Sequence, residues 1–283
     1  MREQAGLGKG SGHHPASVPV VLITGASAGI GEAIAHRFAA AGYRIVAVAR
    51  RQEKLDALAR GLSPLAKVET LSLDVAEPAS AARAVRFALD RFGRLDCLVN
   101  NAGSGRWAPV HQTDDAAMDE VIDISLKATF RFCREAVPAL GRGSSIVTVG
   151  STFGLIGGLD GGIYCAVKAA LVGLTQTLAA QYGPQGIRSN LVAPGVIKTD
   201  MTRDHWDLQG FRRLNQEMTP FDREGTVQDV ANAVFFLASP EGSYINGQSI
   251  AVDGGWTTTK FLATEALVAD RVLPQAAGAA ASL

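Results

Sequence analysis

Tyr164 and Lys168 stand four residues apart, and Ser151 lies thirteen residues before the tyrosine. On a helix, residues i and i+4 share a face, so an ammonium there lies close to the phenol. A free phenol has a pKa near ~10 and is a poor acid–base group at neutral pH. A nearby positive charge favours the phenolate, and bringing the phenol near neutrality needs roughly 4 kcal/mol of differential stabilisation. A tyrosine so tuned could exchange a proton with an alcohol or a carbonyl. Alone, a Tyr-x-x-x-Lys pair says little, because most such pairs are a solvated lysine beside a half-buried ring.

Upstream runs Thr24-Gly25-Ala26-Ser27-Ala28-Gly29-Ile30-Gly31. Residues 18–24 are apolar and suit a buried parallel strand, while 30–41 carries Ile34, Ala35 and Phe38 at helical spacing. Gly25 allows a tight turn. Gly29 and Gly31 let the backbone approach a pyrophosphate and let the helix pack closely. The helix N-terminus offers free N–H groups and the positive end of its dipole. A plain turn is the bland alternative, but the strand–loop–helix setting favours a nucleotide.

These residues need a frame. The pattern predicts strands over 18–24, 44–49, 68–73, 96–100, 145–150, 187–193 and 249–252. Helices are predicted over 30–41, 52–60, 78–92, 116–140, 162–182 and 226–238. Regular alternation means βαβ units and an α/β fold. We expect a single Rossmann-like, doubly wound parallel sheet of about seven strands with helices on both faces. One domain over 18–256 is expected, with 1–17 a disordered extension rather than a signal peptide and 257–283 a tail of unassigned role. Residues 199–221 break the rhythm and read as a binding loop with short helices.

Composition narrows the partners. The chain has 283 residues, 47% of them hydrophobic, which suffices for a sizeable core. Basic and acidic residues number 27 each, which gives no call for nucleic acid or an acidic membrane surface. No apolar run reaches the ~18 residues of a membrane span. Cys97, Cys133 and Cys165 have neither C-x-x-C nor zinc-ligand spacing. Scattered, mostly apolar-flanked thiols suit a reducing cytoplasm, and no metal is expected.

Taken together, the motifs resemble those of the short-chain dehydrogenase/reductase family over about 20–255. The glycine run matches that family's cofactor loop, and Asn100-Asn101-Ala102-Gly103 matches its signature after the fourth strand. Ser151, Tyr164 and Lys168 match its catalytic serine, tyrosine and lysine. Pro194-Gly195 with Thr199 matches the turn that contacts the nicotinamide, and Asp74 matches the aspartate that meets the adenine. The resemblance implies that Ser151 hydrogen-bonds the substrate oxygen, that Tyr164 gives or takes the proton, and that Lys168 lowers the tyrosine pKa and holds the nicotinamide ribose. It implies a cofactor-contacting set of Gly25, Ser27, Gly29, Ile30, Gly31, Arg50, Arg51, Asp74, Val75, Asn101, Ala102, Gly103, Tyr164, Lys168, Pro194, Gly195, Ile197 and Thr199. It also implies a homotetramer or homodimer. Ala166, Ala169, Ala170 and Gly173 supply small residues on and around one helix face that would suit close packing.

Ser125 departs from the pattern, for it falls where the family usually has an asparagine that holds a water in a proton relay. Two readings stay open: a hydroxyl that serves the relay, or one bonded to its own helix backbone.

Cofactor choice rests on the end of the second strand, Ala47-Val48-Ala49-Arg50-Arg51. A carboxylate there would bind a ribose 2′-hydroxyl, and none is present. Two guanidiniums follow, which suit a 2′-phosphate, with Arg50 expected to carry much of the preference and Arg51 to share it. NADP(H) is therefore expected, with NAD(H) possible in principle as the rival, and a non-catalytic nucleotide-binding protein as the rival of another class. The substrate is expected to be a ketone, aldehyde or secondary alcohol with a hydrophobic body, flanked by 103–110, 152–159 and 201–221. Arg106, Arg203, Arg212 and Arg213 leave an acidic or carrier-linked substrate open.

Overall fold

The structure, a computed structural model, describes residues 18–213 and 217–263. The expectations for 1–17 and for the tail beyond 263 lie outside the described residues, as does Leu214 of the expected binding loop.

Seven strands form one wholly parallel sheet: β1 (Val20–Thr24), β2 (Arg44–Ala49), β3 (Val68–Ser72), β4 (Leu95–Asn100), β5 (Leu140–Val149), β6 (Arg188–Pro194) and β7 (Ser249–Val252). Their spatial order is β3-β2-β1-β4-β5-β6-β7. The helices are α1 (Gly29–Ala40), α2 (Gln52–Leu62), α3 (Ser80–Phe92), α4 (Asp115–Val121), α5 (Ala128–Ala136), α6 (Gly162–Tyr182), α7 (Gln209–Arg212) and α8 (Val227–Ala238). Side chains on a strand alternate between faces. Val21 and Ile23 of β1 accordingly join α1, α2 and α8 in one core, while Val20 and Leu22 join α3 and α5 in the other. This is the doubly wound architecture that the alternation predicts.

The strand order reverses between β1 and β4, where Val21 pairs with Cys97 and Ile23 with Val99. Loops leaving the carboxyl ends of these neighbours run to opposite faces and leave a crevice between them. The glycine run and Asn100–Gly103 therefore meet at one place, although they are far apart in sequence.

Two expectations need correction. The predicted helix over 116–140 is not continuous. It is α4, then a π-helical stretch over Ile122–Lys127, then α5, and Leu140 already belongs to β5. A helical hydrophobic period cannot reveal a wide turn inside it, and such turns often mark functional sites. Ser125 lies in that stretch. The second concerns membrane spans. Gly162–Gln185 is long and apolar enough to cross a membrane by length and composition, because polar residues interrupt its apolar runs without lowering the mean much. Here α6 packs on the sheet and buries Tyr164, Val167, Lys168, Leu171, Thr175 and Leu178.

Candidate active site

The glycine loop is built to bring backbones together. Gly25 and Gly29 take positive φ, 67° and 59°, which L side chains rarely adopt. A Cβ on Gly31 would lie 2.2 Å from the Gly25 carbonyl oxygen. Asn101 braces this turn: its Nδ2 donates to the Thr24 carbonyl at 3.0 Å and the Gly25 carbonyl at 3.2 Å. The backbone N–H groups of Asn101 and Ala102 both donate to Thr24 Oγ1. The Asn101 side chain thus shapes the loop, and Thr24 is a site-building residue that the sequence did not single out. No side chain caps α1, so its first N–H groups face the loop without a side-chain acceptor. That cradle fits the pyrophosphate of a dinucleotide.

Around it, Ser27 Oγ accepts from Arg51 Nη2 at 3.2 Å. Arg50 meets Ser72 Oγ through its backbone carbonyl. The two arginines are therefore not equivalent, and Arg51 is the one turned to the loop. Asp74 Oδ1 accepts from Ala76 N at 2.9 Å, and Val75 beside it is buried. Ile30 packs on the α1 core, and Ile197 is buried beneath the turn that follows β6. Thr152 Oγ1 donates to the Pro194 carbonyl at 3.2 Å, tying the Pro194–Gly195 turn to the residue after Ser151.

Ser151, Tyr164 and Lys168 converge just beyond the carboxyl end of β5. Ser151 caps a short 3-10 turn, and its Oγ accepts from Phe153 N at 3.1 Å. Lys168 is 6% exposed, and its Nζ donates to the Val149 carbonyl at 3.2 Å. That nitrogen lies 5.5 Å from the Tyr164 ring centroid. Burial pushes the Tyr164 pKa up, and a hydrogen bond with Ser151 opposes it. Burial lowers Lys168 to about 8. Among the protein's own groups, burial is the largest influence on both residues. Both are withdrawn from water, and desolvation disfavours each charged form.

The Ser125 hydroxyl bonds to the loop after β4 rather than back to its own helix backbone. Its Oγ accepts from Ser104 N at 3.1 Å and lies 3.4 Å from the Ser104 carbonyl, so it ties the loop after Gly103 to the π-helical stretch. A Cβ on Gly103 would lie 3.5 Å from both Lys168 Nζ and Ser125 Oγ. The Ser104 hydroxyl beside them is buried without a partner.

Aromatic rings wall the approach to Tyr164. Trp107 lies 5.3 Å from Tyr164 and 5.3 Å from Phe153, and Phe153 lies 5.5 Å from Trp256. A Cβ on Gly161 would come within 2.6 Å of Trp107, and one on Gly158 within 2.6 Å of Phe153. The absence of those side chains leaves room for the rings. Trp256 had no sequence signal beyond following two glycines of positive φ, Gly254 and Gly255. Met201, Leu208, Met218 and Phe221 are exposed nearby in sequence terms on the expected binding loop, whereas Trp206 is buried and packs on Phe211 and Lys198. A cavity of about 310 Å³ adjoins the Pro194–Gly195 turn, lined by Gly195, Ile197, Thr219, Phe221, Gly225 and Trp256 among others. Ser151, Tyr164 and Lys168 are not part of its lining.

Known proteins are similar to this chain in sequence and fold. The sequence model of the family described as enoyl-(acyl carrier protein) reductase matches residues 25–257. The chain is 38% identical over 246 residues to the A-factor type gamma-butyrolactone 1'-reductase (1S-forming) of Streptomyces virginiae, covering 84% of this chain and 95% of that one. It is 38% identical over 238 residues to the 3-oxoacyl-[acyl-carrier-protein] reductase FabG of Escherichia coli, covering 83% and 96%. A short-chain dehydrogenase from Burkholderia cenocepacia, solved in complex with NADP, superposes with a TM-score of 0.80 at 34% identity, covering 84% and 97%. The chain belongs to the short-chain dehydrogenase/reductase family, as an oxidoreductase acting on carbonyl and alcohol groups.

Proposed function

We propose that the protein reduces a ketone or aldehyde carbonyl with NADP(H), or oxidises the matching secondary alcohol, and that Tyr164 transfers the proton. The buried Tyr164, with Ser151 and Lys168 beside it and Gly105 of the loop after β4 against its ring, carries this reading. When bound, the nicotinamide supplies or accepts the hydride. Ser151 holds the substrate oxygen by its hydroxyl. Tyr164 keeps its proton at neutral pH, because burial favours the phenol, and so serves as the acid that protonates the developing alkoxide. Lys168 places a positive charge near the ring and orients the cofactor ribose. Ser125 fixes the loop that carries Gly103 and so positions Lys168 indirectly.

A 2′-phosphate is favoured by the guanidinium of Arg51 against Ser27 and by the lack of a carboxylate at the end of β2. The NADP held by the Burkholderia relative supports the same choice. The aromatic row Trp107–Phe153–Trp256 and the exposed apolar loop residues favour a substrate with a hydrophobic body. The four arginines that left an acidic substrate open are each paired with a carboxylate: Arg106 with Glu120, Arg203 with Asp200, Arg212 with Asp207 and Arg213 with Glu217. That favours a neutral small molecule over the carrier-linked substrate named for FabG.

Assembly as a homodimer or homotetramer belongs to the same proposal. Ala166, Ala169, Ala170 and Gly173 lie exposed along α6, and Phe130 on α5 is exposed as well. A monomer of 29.6 kDa by light scattering would refute it. A cytoplasmic location is supported by three free thiols, of which burial pushes Cys97 and Cys133 up to about 12. The function is tested by a panel of neutral ketones and alcohols with both cofactors, followed by absorbance. Turnover with NADPH and a hydrophobic ketone is expected. Tight cofactor binding without turnover of any member would favour a regulatory protein.

A further inference from the structure

We infer that Asp200 is a specificity-determining residue that competes with the cofactor's 2′-phosphate for Arg51 and thereby fastens the substrate-side loop to the glycine loop; this rests on the NADP(H) reading above. After β6 the chain folds back on the cofactor crevice. Thr202 Oγ1 accepts from Thr199 N at 2.9 Å and donates to the Ile197 carbonyl at 2.8 Å, which knots the turn. Thr199 is thereby laid on the glycine loop, where its Cγ2 would sit 3.3 Å from a Cβ on Gly29.

The knot carries Asp200 across the crevice. Its Oδ2 lies 3.7 Å from Arg51 Nη1, while Arg51 Nη2 donates to Ser27 Oγ. Its Oδ1 takes Arg203, three residues on. One carboxylate thus links the guanidinium best placed for a 2′-phosphate to the loop that flanks the substrate.

A phosphate carries about −1.5 to −2 charge and accepts a guanidinium bidentately. It therefore outcompetes a carboxylate for Arg51 and repels Asp200 at the same distance. A ribose 2′-hydroxyl has no charge and leaves the Arg51–Asp200 pair in place. Entry of NADP(H), and not of NAD(H), unfastens the loop in this account. The pair is about half exposed on both sides, 46% and 55%. Exposed pairs contribute modestly, so its removal should change affinity by about two- to fivefold rather than by orders of magnitude.

The experiment measures dissociation constants for NADPH and NADH by tryptophan fluorescence, in the wild type, Asp200→Asn, Arg51→Ala and the double variant. Tryptic cleavage at Arg203, Arg212 and Arg213 without added cofactor is the second readout. Asp200→Asn is expected to tighten NADPH by about two- to fivefold, to leave NADH unchanged, and to have no effect once Arg51 is alanine. It should also speed cleavage of the loop. Unchanged or weaker NADPH binding in Asp200→Asn overturns the inference, as does equal tightening of both cofactors or unaltered cleavage. Wild-type affinities that are equal for the two cofactors overturn the NADP(H) reading itself, and this inference with it. A wild-type preference for NADPH that Asp200→Asn leaves untouched overturns only the role of Asp200.

Discussion

The cofactor side and the substrate side of this molecule are held together by different means. On the cofactor side, backbone meets backbone: Gly31 against the Gly25 carbonyl, Asn101 on the Thr24 and Gly25 carbonyls, all braced by the buried ends of β1 and β4. On the substrate side, side chain meets side chain: Trp107 on Phe153 and Tyr164, Phe153 on Trp256, and surface ion pairs along 200–217. Backbone contacts in a packed sheet cannot yield without moving whole elements. Ring contacts and exposed ion pairs can rearrange at small cost. On the proposed function, one half fixes a common chemistry and the other leaves the substrate free to vary.

The trio joins the two halves, so its loss should be felt most. Tyr164→Phe keeps the ring and removes the proton, and kcat should fall by ~10²–10⁴-fold while NADPH affinity is nearly unchanged. A variant that keeps more than about a tenth of wild-type kcat would remove Tyr164 from the acid's role.

Glycine substitutions then separate the halves directly. Gly31→Ala meets a carbonyl that cannot move, so it should cost about 1–3 kcal/mol of stability and strip cofactor binding. Gly161→Ala meets side chains alone, the Trp107 ring and the Cys165 thiol, which can swing away, so the melting temperature should hardly change while KM for the ketone rises. Equal thermal shifts in the two variants would break the comparison.

Arg51→Ala should weaken NADPH by roughly tenfold, the loss of one charge-assisted hydrogen bond, with NADH little altered. Arg50→Ala should do less. The paired titrations check both, and a larger loss from Arg50→Ala would reverse the assignment made from the Ser27 contact.

The smallest effect expected is in pH dependence. Lys168 is lowered to about 8, so the free enzyme loses that positive charge as pH rises past 8. The kcat/KM for reduction should decline there, since it reports the free enzyme. The same depression means that the unfolded chain binds the extra proton between about 8 and the ordinary lysine value of 10.5, so this group raises folding stability with pH across that window. A flat kcat/KM profile from pH 7 to 9 would contradict the assignment of that titration to Lys168.

Much of this was legible in the chain. Strand positions followed from apolar runs bounded by glycine, and the trio and the glycine loop followed from spacing. What was not legible depended on contacts between distant segments. Trp256 joins the aromatic row only because β7 ends beside β6. The unequal roles of Arg50 and Arg51 depend on side-chain direction at a strand end. The π-helical stretch at Ile122–Lys127 leaves the apolar pattern of 116–140 unbroken, so periodicity predicts one helix there. The Tyr164 shift reflects the ring's own burial, which a local i, i+4 argument does not contain.

The central claim is that a proton from Tyr164 and a hydride from NADPH reduce a neutral, hydrophobic ketone. Its most direct test is reduction with NADPH deuterated at the transferable position, with product analysed by mass and the Tyr164→Phe variant run alongside. The account predicts one deuterium on the carbinol carbon with the wild type and almost no product with the variant, although both bind NADPH. Alcohol formed at similar rates by both proteins, or formed without the label, would contradict it.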